Sequence, residues 1–182
     1  ADAVALYEKA LAIAPYPEAR AVAALELAEV YMDPRFGEEA IAPARAVPIC
    51  EALLECRRAS LSGNFAHRLL YDYVAAMQAC SRGADARAVV MSIHEDEEAL
   101  RFFHKYTTSG LLINMELRQH LHPGLPDPQL RLSCLAEMRK WFPGDAVFHE
   151  RLEDCIQRTN SEIEATLTPM TRELEDMFSV DE

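Results

Sequence analysis

Apolar residues recur every three or four positions along most of this chain, which predicts a succession of helices. The run AVALYEKALAIAP predicts a first helix from Ala3 to Pro15, with proline blocking its continuation. A second helix is expected from Glu18 to Met32, closed by Asp33-Pro34. Beyond it, Pro43 and Pro48 interrupt the pattern. A short helix near Glu38 to Ala46 is expected there. Another should start with Pro48 in its first turn and run through Ile49, Leu53, Leu54 and Cys56 to about Ser60. Ser62-Gly63-Asn64 reads as a break.

Phe65, Leu69, Leu70, Tyr73, Val74 and Met77 keep helical spacing toward Cys80, and Gly83 is expected to end that element. The stretch from Ala84 to Ile93 suits a strand or a buried helix, and its helical neighbours favour helix. Ser92 and Glu95 have capping-box spacing, predicting a helix start that continues through Leu100, Phe103 and Tyr106 toward Gly110. Leu111 to Leu121 follows, stopped by His122-Pro123-Gly124. Asp127 caps the next helix, with Pro128 in its first turn. Asp145 caps the last one, which carries Phe148, Leu152, Cys155, Ile156, Ile163, Leu167, Leu174 and Phe178. A kink or restart is expected at Thr168-Pro169.

Within the first helix, Ala3, Tyr7, Ala10 and Pro15 stand at intervals of four, three and five. This spacing resembles the second helix of a tetratricopeptide repeat. Leu27, Ala28 and Tyr31 resemble the large-small-aromatic signature of that repeat's first helix, although Ala24 stands where the family often has Trp. Leu135, Met138 and Pro143 repeat the offsets of Tyr7, Ala10 and Pro15. The resemblance implies an all-α fold of antiparallel helix pairs stacked as a short right-handed solenoid, with a C-terminal capping helix. It also implies a single helical-repeat domain over 1–182, in which 145–182 forms capping or interaction helices. The first helices of each pair would line a concave groove holding a protein or peptide partner, with Leu25, Glu29, Met32, His67 and Tyr71 facing it. The plain alternative makes these five residues ordinary surface or core positions.

A chain of 182 residues buries about 70% of its unfolded surface and needs no disulfide or metal for stability. The formal charge of −12 argues against nucleic acid or an anionic membrane and favours a basic or neutral protein partner. Five cysteines, odd in number and without a CxxC pair, read as reduced thiols in a cytoplasmic setting. No apolar run reaches the length of a membrane span. The chain opens without Met inside a repeat-like pattern, so it is expected to be a fragment of a larger protein.

Candidate chemistry is sparse. His94-Glu95-Asp96-Glu97-Glu98 is the densest polar cluster, with His104 further along; His94 with Glu98, and Glu116 with His120, share helix faces. A helical metal enzyme using His94, Glu98 and His104, or a helical domain of a larger enzyme, is the alternative function. The spacings of HExxH and of di-iron bundles are absent, and an acidic helix start explains the run without an ion. There is no glycine-rich phosphate loop and no GxSxG elbow. No catalytic residue, metal or cofactor is expected. A third reading is self-association through the C-terminal helices.

Overall fold

The computed structural model describes residues 2–55, 63–121 and 127–178, the side chains at 2, 39, 63 and 168–178 excepted. The described residues form α-helices joined by short connections and 3-10 turns, and no strand occurs among them. The helices are α1 (Asp2–Ile13), α2 (Pro17–Val30), α3 (Pro43–Glu55), α4 (Gly63–Ala79), α5 (Gly83–Glu95), α6 (Lys105–His120), α7 (Pro128–Met138) and α8 (Ala146–Phe178). They divide into two compact units, Ala1–Leu111 and Leu112–Glu182.

In the first unit each of α1 to α5 packs on its sequence neighbour, and α2 also touches α4. Small residues make the close approaches possible. Ala28, Ala46, Ala76 and Ala86 are wholly buried, so neighbouring backbones come near without a side chain between them. Leu27, Ala28 and Tyr31 are all buried. Arg45 of α3 lies over the Tyr31 ring, 4.5 Å from its centroid, and also pairs with Glu8 of α1 at 3.0 Å.

Local signals explain several boundaries. Asp127 accepts hydrogen bonds from the backbone N–H of Gln129 and Leu130, and Asp145 from that of Phe148, so α7 and α8 begin where short acidic side chains can cap them. Other expectations need correction. A single helix, α3, starts at Pro43 and contains Pro48, while Pro34–Phe36 and Glu38–Ala40 are 3-10 turns. Ser92 lies inside α5. The turn after α5 is capped by Asp96, which accepts from the N–H of Glu98 and Ala99. A 3-10 turn at Ala99–Arg101 then leads to α6, which runs through Gly110 without a break.

Gly83 begins α5 rather than closing α4. The residue in the left-handed conformation is Ser81, at φ 59°. There Arg82 N–H reaches Met77 C=O and Ser81 N–H reaches Gln78 C=O, the two bonds of a Schellman closure. Of the expected break at Ser62-Gly63-Asn64, Gly63 and Asn64 instead open α4, while Ser62, the helix end near Ser60 with Cys56, and the stop at His122-Pro123-Gly124 lie outside the described residues.

The second unit gathers Ile113, Leu135, Met138, Phe148 and Leu152 into a core, with Trp141, Phe142, Cys155 and Ile156 packed against it. Phe148 meets Phe142 edge-on at 4.9 Å and stacks with Trp141 at 6.3 Å. α8 continues through Thr168-Pro169 to Phe178 without restarting.

Candidate functional site: the α2–α4 face

Where α2 meets α4, apolar burial gives way to charge. Glu26 and Glu29 lie three apart on α2, and Arg68 and Asp72 four apart on α4, so each pair occupies one helix face. Arg68 donates through Nε to Glu29 at 2.7 Å and through Nη2 to Glu26 at 3.0 Å, with a further Nη2 bond to Glu29. One guanidinium therefore serves both α2 carboxylates. Those bonds hold the Arg68 pKa above its ordinary value, the Glu29 bond most strongly. Tyr7 of α1 adds a long O–H contact to Glu26 at 3.5 Å.

Asp72 is the group least at ease here. Burial, then the charge of Glu29, push its carboxyl from 3.8 up to about 7, against a smaller opposing effect of Arg68. Asp72 Oδ2 is buried and has no hydrogen-bond partner among the described residues. The site thus sets three carboxyl groups against one guanidinium and carries a net negative field.

Two histidines are fixed by consecutive threonines at the start of α6. His67 Nδ1 lies 2.8 Å from Thr107 Oγ1, and His94 Nδ1 lies 2.7 Å from Thr108 Oγ1. Thr108 donates its hydroxyl hydrogen to Lys105 C=O at 2.9 Å, so the hydroxyl accepts from His94, whose Nδ1 carries the proton. His67 also stands against Tyr71, ring centroids 4.7 Å apart.

Of the five residues expected to face a groove, Glu29 belongs to the charged cluster, while His67 and Tyr71 are exposed together on α4. Met32 is half-buried just past the end of α2. Leu25 is corrected: it is 1% exposed and packs in the core, so it offers no side chain to a ligand. Arg68, Asp72 and Glu26 were not anticipated. The available signal was the pairing of charges at three- and four-residue spacing within otherwise apolar helices. His94 is buried on Thr108, while Glu98 and His104 are exposed. Glu116 and His120 do meet, at 3.1 Å. Among the described residues no three His, Cys, Asp or Glu side chains are grouped as a metal site. No helix among them is long and apolar enough to cross a membrane. No family model, curated protein or solved structure matches this chain.

Proposed function

We propose that the first unit is an interaction scaffold of the helical-repeat kind, its antiparallel pairs stacked as a short right-handed solenoid, which holds a basic peptide or partner helix along the α2–α4 face. The observation that carries this reading is the excess of carboxyl groups over cations where α2 meets α4, with exposed Tyr71 and His67 beside it. Contact between α2 and α4, separated in sequence by α3, is what alternate helices of stacked pairs would make. A Lys or Arg from a ligand would find Glu26 and Glu29 about a third exposed and held in place by Arg68, and the Tyr71 ring would supply apolar contact. A cytoplasmic setting belongs to the same proposal and rests on the odd cysteine count.

Selection of random peptides on the purified chain tests it. Sequences rich in Lys and Arg should be enriched, and Glu29→Lys combined with Tyr71→Ala should abolish their capture. Enrichment of acidic sequences, capture indifferent to both substitutions, or no enrichment at all would overturn the reading.

A further inference from the structure

The second unit contains a cleft of about 810 Å3 lined by α6, α7 and α8. Leu117, Leu121 and Leu135 give it apolar walls, and Arg118, Arg131 and Arg158 bring one guanidinium from each helix. Among the described residues Glu162 is its single carboxylate. In a chain of net charge −12 this is a local inversion of sign, suited to an acidic and apolar ligand. Arg131 Nη1 already meets Glu162 Oε2 at 2.6 Å, so a carboxylate on α8 is accepted by a cleft arginine. Arg158 is exposed and has no ion-pair partner among the described residues.

A sequence of that chemistry lies in the same chain. From Ile163 to Glu182 there are six Asp and Glu residues and one Arg, with Ile163, Leu167, Leu174 and Phe178 at intervals of four, seven and four. Leu167 is 53% exposed. Positions 173–178 cannot fold back on their own cleft, because α8 is continuous from Ala146 to Phe178. At the helical rise, position 176 lies about 27 Å along the axis from position 158. A second copy of the chain has no such restriction.

We propose that the cleft receives the acidic C-terminal stretch of α8 from a second copy, and that the exchange is reciprocal, giving a two-fold dimer of the second unit. Carboxylates of one copy meet Arg158 and Arg118 of the other, and the apolar positions at helical spacing enter between the leucines. This interface is independent of the α2–α4 face.

Sedimentation of the full chain over a wide concentration range reads the association. A dimer is expected at low salt, weakening as salt rises. Arg158→Glu should weaken it by at least about tenfold. The triple variant Glu173→Lys, Glu175→Lys, Asp176→Lys should do the same, and a mixture of the two variants should restore association through the repaired charge pairing. Circular dichroism confirms that each variant is folded. If reversal at 158 disturbs the fold, Arg158→Gln should weaken the dimer in the same direction by less. A chain monomeric at every concentration, a dimer indifferent to these substitutions, or a mixture that fails to reassociate would overturn the proposal.

Discussion

Glu29 and Asp72, one on α2 and one on α4, are two carboxyl groups whose like charges oppose each other beside a single guanidinium. Burial and this neighbour hold the Asp72 proton up to about 7, so the folded chain binds it more tightly than the unfolded chain does. The contribution to stability is therefore full below the ordinary value of 3.8 and is lost as pH rises through about 7. Asp72→Asn removes the ionisation and keeps the shape. After allowing for solvent screening, we expect it to stabilise the protein by about 1–2 kcal/mol at pH 8 and hardly at all at pH 4. Urea unfolding at the two pH values checks this. Equal effects at both would show that Asp72 is not linked to folding.

Ser81 occupies the left-handed region that closes α4, at φ 59°. A residue with a Cβ is strained there by about 1–2 kcal/mol, and glycine relieves the strain at some cost in chain entropy. Ser81→Gly should raise unfolding stability by about 0.5–1 kcal/mol. Ser81→Val should lower it. Thermal melts of the pair decide, and a gain with valine would contradict the closure.

Burial pushes the Cys50 thiol up to about 12, with Asp72 and Glu51 adding in the same direction. The native protein should leave Cys50 unmodified by iodoacetamide at pH 8, while half-buried Cys80 is alkylated faster than Cys50. Peptide mass spectrometry before and after urea unfolding measures both. Equal labelling rates in the native state would mean that Cys50 is accessible.

Phe148 is the centre of the second unit's aromatic cluster, with no exposed surface. Phe148→Ala should cost about 3–5 kcal/mol. The exposed Leu130→Ala should stay within about 0.5 kcal/mol of the parent. Trp141, the one tryptophan of the chain, packs against the cluster and reports unfolding of this unit by its fluorescence.

Local chemistry was the part of the fold that could be read in advance. Asp127-Pro128 and Asp145 announced helix starts because a cap needs only its own next three residues. Proline and glycine were harder, since each admits more than one local role. Pro43 opens α3 and Pro48 sits inside it, while a serine rather than Gly83 took the left-handed turn. Glu29 could be set beside His67 and Tyr71 only through the likeness to a repeat, whereas helical register by itself joins His67 with Tyr71, four residues apart on α4. Arg68 could not be connected to Glu26 and Glu29, which precede it by 42 and 39 residues, because nothing local in a sequence states which distant helix will lie alongside. The same blindness hid the burial of Leu25, which its period allowed but did not assign.

Phe142 illustrates a position under two opposed demands. Its backbone, at φ 47°, would be most comfortable as glycine, yet its ring meets Phe148 edge-on. Relaxing the turn empties the aromatic nest, and keeping the nest retains the tension. In a population of variants such a site leaves almost no neutral escape, so drift in this turn should run through the residues on either side of it.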